Sequence, residues 1–313
     1  MGKYAFGIDI GGTTVKIGMF EEKGTLIESW EIPTRRENKG EFILADITGA
    51  VEQKLQETGI SKADVLGIGM GVPGPVGGDG TVFTCVNLGW GQFNIEKSME
   101  QQTGLRVKAG NDANVAALGE MWQGGGKGRD NIVMVTLGTG VGGGIIIDGK
   151  ILAGNDGAAG EIGHLPAKEG ETEVCGCGKK GCLEQYASAS GVAKEAVKYL
   201  RDHPDEASVL KELDEITAKD VFDAAKQGDK PALAIVDATG KLLGKALASV
   251  ACVVNPQGFV IGGGMANAGT ILIDCIKKYY AQYAFPATRN VAFELACLGN
   301  KAGIYGSVKQ VLA

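Results

Sequence analysis

Residues 4–20 read Tyr4-Ala5-Phe6-Gly7-Ile8-Asp9-Ile10-Gly11-Gly12-Thr13-Thr14-Val15-Lys16-Ile17-Gly18-Met19-Phe20. Two apolar runs flank a Gly/Thr turn, which predicts a β-strand, a tight turn and a second strand. Asp9 closes the first strand. Gly11 and Gly12 leave room at the turn, and Thr13 and Thr14 offer hydroxyls and amides. Such a hairpin can wrap phosphate oxygens with backbone N–H groups. A strand-end Asp beside it can hold Mg²⁺, directly or through water. Taken alone, the same residues also make an ordinary hairpin turn with a hydrogen-bonding Asp. The pattern returns once: an apolar strand over 130–137, then Gly138-Thr139-Gly140-Val141-Gly142-Gly143-Gly144, then Ile145-Ile146-Ile147. Two such hairpins facing each other would grip a polyphosphate from both sides.

Between the hairpins, a third strand is expected near Leu26–Ile32. Ile43, Ile47, Val51 and Leu55 recur every four residues and mark an amphipathic helix. Val65–Met70 predicts a strand running into the rigid loop Gly71-Val72-Pro73-Gly74-Pro75. Asn87-Leu88-Gly89-Trp90 lies in a further loop with polar and aromatic groups suited to a sugar; both loops read equally well as purely structural. Val107–Ala109 predicts a short strand, and a helix with Val115, Leu118 and Trp122 on one face follows Gly110-Asn111-Asp112. Asn111 or Asp112 can cap that helix, and Asp112 can serve as a general base; a cap residue is well fixed in space, so the two roles are compatible.

The stretch Glu161-Ile162-Gly163-His164 precedes Cys175-Gly176-Cys177-Gly178-Lys179-Lys180-Gly181-Cys182-Leu183-Glu184. Three thiolates and an imidazole form a closed tetrahedral set for Zn²⁺, and the segment has few large apolar residues to order it otherwise. A redox pair or small buried residues would need neither the third cysteine nor the histidine. Beyond it, residues 189–250 read as mostly helical. An apolar helix over 242–254 ends at Asn255-Pro256, and Phe259–Ile261 predicts a strand ended by Gly262-Gly263-Gly264. There a nucleotide's adenosine can lie against backbone, and the same glycines also make an ordinary helix-start turn. A helix to about Tyr283 and a last one over Lys301–Leu312 complete the chain.

The 313 residues suffice for two domains with cores of their own. A net charge of −6 argues against nucleic acid or an anionic membrane as the main partner. Fifty-one glycines cluster where backbone would approach phosphate. No signal peptide is read, since the run Tyr4–Ile10 is too short and contains Asp9. The apolar run over 247–254 is far short of a membrane span. Seven cysteines, an odd number, fit a reducing cytoplasm.

Asp9-Ile-Gly-Gly-Thr13, Asn111-Asp112, the 138–144 turn, Glu161-Ile-Gly-His164 and the cysteine stretch to Glu184 together resemble the ROK family of sugar kinases and repressors. The resemblance runs from residue 4 to the C-terminus and is strongest to the bacterial glucokinase branch. It implies an α/β, duplicated actin-like (ribonuclease-H-like) two-domain sugar kinase fold with an interdomain cleft. The domains expected are a small one, 1–112 plus 300–313, and a large one, 113–299, carrying the zinc-binding loop.

By that resemblance Asp9, Gly11, Gly12, Thr13 and Thr14 serve the phosphate–Mg²⁺ end of ATP. Gly138, Thr139 and Gly140 form the second phosphate loop, and Gly262, Gly263 and Gly264 border the adenosine. Asp112 is the base for the sugar 6-hydroxyl. Asn111, Glu161, His164 and Glu184 bind the rest of the sugar; Gly74 and Asn87, from the two loops above, are expected to line it as well. His164, Cys175, Cys177 and Cys182 hold Zn²⁺, with the other ring nitrogen of His164 turned toward the sugar. Relatives often carry Glu before the Asn-Asp pair, where this chain has Gly110, a local difference in the cleft. The implied activity is ATP-dependent phosphorylation of glucose in the cytoplasm by a homodimer, with no nucleic-acid or membrane partner. Mannose, N-acetylmannosamine or fructose as substrate, polyphosphate as donor, and a non-catalytic sugar-binding regulator are the alternatives. Repressors of this kind carry a helix-turn-helix ahead of the phosphate motif, for which Asp9 is expected to leave no room.

Overall fold

The structure, a computed structural model, describes residues 3–312; Met1, Gly2 and Ala313, at the ends of the expected domains, lie outside the described residues. In chain order the elements begin β1 (Tyr4–Ile10), β2 (Thr14–Glu21), β3 (Leu26–Pro33), α1 (Glu37–Gly40), α2 (Ile43–Thr58) and β4 (Val65–Val72). Then come β5 (Thr81–Val82), β6 (Phe93–Asn94), α3 (Ile95–Thr103), β7 (Val107–Asn111), α4 (Asp112–Gln123), β8 (Ile132–Leu137), β9 (Val141–Ile147) and β10 (Lys150–Ile151). The remainder is α5 (Glu184–Ala187), α6 (Ala189–Asp202), α7 (Ala218–Lys226), α8 (Lys230–Val254), β11 (Gly258–Gly262), α9 (Thr270–Tyr283), β12 (Ala292–Leu295) and α10 (Ala302–Leu312).

Two five-stranded sheets share one plan. The first runs β3-β2-β1-β4-β7 and the second β10-β9-β8-β11-β12. In the first, β1/β2 and β2/β3 are antiparallel while β1/β4 and β4/β7 are parallel. In the second, β9/β10 is antiparallel while β8/β11 and β11/β12 are parallel. The repeated Gly/Thr hairpin is therefore the visible part of a repeated sheet, and the fold is the expected duplicated α/β one.

The chain forms two compact units: Met1–Asp130, Gly144–Gly160 and Leu298–Ala313 in one, Asn131–Gly143 and Glu161–Cys297 in the other. The first unit extends past residue 112 because α4 packs on α10 backbone to backbone. A Cβ added at Gly306 would lie 1.7 Å from the Val115 carbonyl oxygen, and one at Gly69 of β4 1.7 Å from that of Ser307. Only glycine lets α10 fit between sheet and helix. Ser307 Oγ donates to the Ile8 carbonyl at 2.7 Å, tying α10 to β1.

In the first unit the expected helix face of α2 is buried at Ile43, Ile47, Val51 and Leu55, packed with Phe6, Ile8 and Met70. Each such side chain stabilises the unit by about 1.5–3 kcal/mol. In the second unit the rings of Phe259, Tyr280 and Phe293 meet at centroid distances of 5.0–5.6 Å. The helix expected over 242–254 begins earlier, at Lys230, because Asp229 caps it through the Ala232 amide and Pro231 sits in its first turn. Its end is as expected, at Asn255 in the left-handed region. Among the described residues no helix is long and apolar enough to cross a membrane.

Candidate active site

In the first unit, the strands β1 and β4 and the helix α4 place two carboxylates. Asp9 is the penultimate residue of β1, paired with Lys16 across the hairpin and with Gly71 on β4. Its Oδ2 would lie 2.6 Å from a Cβ at Gly303, so the first turn of α10 closes against the carboxylate. Burial pushes the Asp9 carboxyl above the usual carboxylate range, against the opposing charge of Lys16. The turn beside it is closed by Gly11 N–H donating to the Thr14 carbonyl at 2.9 Å. Thr34 then props it twice, its N–H on the Thr13 carbonyl at 2.9 Å and its hydroxyl on the Gly11 carbonyl at 2.8 Å.

Asn111 caps α4: its Oδ1 accepts from the Asn114 amide at 3.1 Å. Its Nδ2 donates to the Gly74 carbonyl at 3.1 Å and to Asp112 Oδ1 at 3.0 Å. Asp112 Oδ1 also accepts from the Ala113 amide at 2.8 Å, so one carboxylate oxygen is fixed and Oδ2 has no partner among the described residues. Burial pushes the Asp112 carboxyl up, the Ala113 amide opposes, and the charge of Asp9 adds to the rise. The loop with Gly74 and the one with Asn87 meet at this corner: a Cβ at Gly74 would contact Cys85 at 3.6 Å. Burial, and further the charge of Asp112, raises the Cys85 thiol. Asn87 itself is exposed. Gly110 sits under Gln310 and Val115, each 3.0 Å from the place of a Cβ, which leaves this chain little room for a larger residue there.

In the second unit the four expected metal ligands converge. The donor atoms of His164, Cys175, Cys177 and Cys182 all lie within 4.8 Å of one another. Cys177 and Cys182 sulfurs are 3.6 Å apart, and Cys175 Sγ is 3.7 Å from His164 Nδ1. Zn–S bonds of about 2.3 Å at a tetrahedral angle require sulfurs roughly 3.8 Å apart, so the set fits such an ion. It does not fit a disulfide, which needs about 2.05 Å. Gly181, at φ +71°, lets the loop pass the Lys168 carbonyl, which a Cβ would meet at 1.9 Å. His164 Nε2 points toward Glu161, with its Oε2 at 3.9 Å. Glu184 Oε2 accepts from the Val141 amide at 3.0 Å, and Oε1 lies 4.0 Å from Cys175 Sγ.

A hollow of about 590 Å³ in this unit is lined by Gly138, Thr139 and Gly264 and by the apolar Ala218, Phe222 and Met265. Of the expected glycine triplet only Gly264 faces it. Gly262 packs against Met134 and Ala296, and Gly263, at φ +82°, turns the chain past the Leu137 carbonyl. The α7 wall, with Thr217, Lys219 and Asp223, was not legible as a site from sequence. Its signals are the capping box of Thr217 and Asp220, which starts α7, and the pairing of Lys219 with Asp223 at 2.7 Å, which holds the Asp223 carboxyl below its usual range.

The family model described as ROK family matches residues 5–313. A glucokinase of Halalkalibacterium halodurans is 43% identical over 309 residues, 97% of this chain and 93% of that protein. The crystal structure of a ROK family glucokinase from Streptomyces griseus in complex with glucose and AMPPNP is 34% identical, with a TM-score of 0.73 over 98% of each chain. The ROK hexokinase of Thermus thermophilus is 30% identical, with a TM-score of 0.79 over 99% of this chain and 97% of that one.

Proposed function

Because the chain belongs to the ROK family, we propose that it is a glucokinase moving the terminal phosphoryl of ATP to the 6-hydroxyl of glucose. The observation that carries the reading is Asp112, a carboxylate fixed through one oxygen with the other without a partner among the described residues. Asp112 Oδ2 takes the hydroxyl proton as the O6–phosphorus bond forms and the bond to the bridging oxygen of ADP breaks. Its raised affinity for a proton makes it a stronger base than an exposed Asp.

Asn111 orients that carboxylate and keeps a lone pair on Oδ1 for a sugar hydroxyl. Glu161, His164, the Oε1 of Glu184, Gly74 and Asn87 take the remaining hydroxyls. Little covalent work is required of the protein in phosphoryl transfer; position and charge compensation dominate. The turns Gly11–Thr14 and Gly138–Gly140 offer amides to the phosphates, and the base lies against Ala218, Phe222 and Met265, bordered by Gly264 and backed by Gly262 and Gly263. Mg²⁺ at Asp9 would neutralise charge on the phosphates. Zn²⁺ in the His164–Cys175–Cys177–Cys182 set would keep Glu161, His164 and Glu184 in place. We place the enzyme in the cytoplasm as a homodimer, which sedimentation equilibrium checks.

The test is kcat/KM over glucose, mannose, N-acetylmannosamine and fructose, each with ATP and with polyphosphate. Glucose with ATP is expected to be the best pair. A different best pair revises the substrate, and no turnover with any pair overturns the reading.

A further inference from the structure

The turn Gly138–Gly140 and the cysteine loop are joined by a short piece of chain that the reaction itself does not explain. Leu183 N–H donates to the Leu165 carbonyl at 2.9 Å, anchoring the segment next to Cys182. Glu184 then accepts from the Val141 amide at 3.0 Å. Ala189 N–H donates to the Gly138 carbonyl at 2.8 Å, and Ser190 Oγ donates to the Thr139 carbonyl at 2.7 Å. Ser190 can spend its proton there because Ser188 Oγ, 3.1 Å away, supplies the next one; Ser188 in turn accepts from the Gly191 amide at 3.0 Å.

The consequence for the turn is directional. Its carbonyls at 138 and 139 are both held by the segment, and the Gly138 amide bonds to the Gly140 carbonyl at 3.0 Å. The amides of Thr139 and Gly140 are left without a protein acceptor among the described residues. A turn with its carbonyls tied back and two amides presented is preorganised for an anion. Glu184 leaves no slack, since a Cβ at Gly140 would sit 2.2 Å from its Oε2.

We propose that residues 183–191 are a strap through which the Cys3His knot sets the phosphate turn, with Ser190 as a positioning residue for the nucleotide. This rests on reading Gly138–Gly140 as a phosphate turn. The knot therefore serves the nucleotide as well as the sugar.

The test is ADP and glucose binding by titration calorimetry on the zinc-loaded protein, with melting temperature recorded alongside. Ser190→Ala is expected to weaken ADP about 3–10-fold, the scale of one lost hydrogen bond. Glucose binding stays within about twofold of wild type, and Ser190→Thr restores ADP affinity. Stripping the metal with a chelator is expected to weaken ADP at least as much. Should stripping unfold the protein, Gly140→Ala gives the second arm: weaker ADP with metal content unchanged. Wild-type protein that does not bind ADP overturns the reading of the turn and the strap together. Wild type that binds ADP while Ser190→Ala binds it equally well, or loses glucose in the same proportion, overturns the strap alone.

Discussion

The two glycine turns match in sequence and in sheet position and are supported differently. The first, Gly11–Thr14, is propped by Thr34, the residue that follows β3 in its own sheet. The second, Gly138–Gly140, is held by Glu184, Ala189 and Ser190, from the starts of α5 and α6. One turn depends on the residue after its neighbouring strand, the other on a segment adjoining the Cys3His cluster.

The largest effect expected from breaking this pair of supports lies outside both. Asp112→Asn keeps the hydrogen bonds of Oδ1 and loses the base, so kcat should fall roughly 10²–10⁴-fold while glucose KM stays close to wild type. Turnover near wild type would remove Asp112 from the chemistry. Next comes Gly303→Ala, whose Cβ would press within 2.6 Å of Asp9 Oδ2. It should cost on the order of 10-fold or more in kcat/KM for ATP, because small misplacements of reacting groups are expensive. An unchanged value would show that Asp9 tolerates displacement.

Thr34→Ala sharpens the contrast itself. The Thr34 backbone still holds Thr13, so nucleotide KM should rise only about 2–3-fold, less than for Ser190→Ala. The reverse ranking would mean that the first turn, not the second, depends on a side chain. The smallest effect is thermal. Burial raises the Asp112 carboxyl, so its protonated form suits the fold, and that stability is lost as pH rises through the folded-state value. Asp112→Asn should therefore raise the melting temperature at pH 7 by about 1–3 °C, with the gain vanishing below about pH 4. For the same reason wild-type kcat should climb with pH through the raised value.

What the sequence made legible was local. The hairpins were readable because Gly and Thr between apolar runs admit few conformations, and α2 because Ile43, Ile47, Val51 and Leu55 repeat at the helical period. The metal set was readable because four donors of the right kind fell within one short loop. What stayed hidden was long-range or polar. α8 starts at Lys230, capped by Asp229, yet Asp237, Thr239, Gly240 and Lys241 break its apolar residues into two runs, and only the later one, from Leu242, reads as a helix from the sequence. The membership of α4 rests on Gly306 touching Val115, far apart in sequence. Asn111 looked like a sugar ligand or a cap; the cap is made, and the hydrogen bond to Asp112 that fixes the base has no sequence signature. Ser190 opens an ordinary helix, and nothing in its neighbours announces Thr139 as its acceptor.

The helix α10 sits on β1 through Ser307 and on α4 through Gly306. During translation β1 and α4 leave the ribosome long before α10 does, whereas every strand and helix of the second unit, ending at Cys297, is already synthesised. The nascent chain can thus finish its second unit while the unit bearing Asp9 and Asp112 still lacks the helix that packs on β1 and α4. Activity should therefore appear only once α10 has docked on β1 and α4.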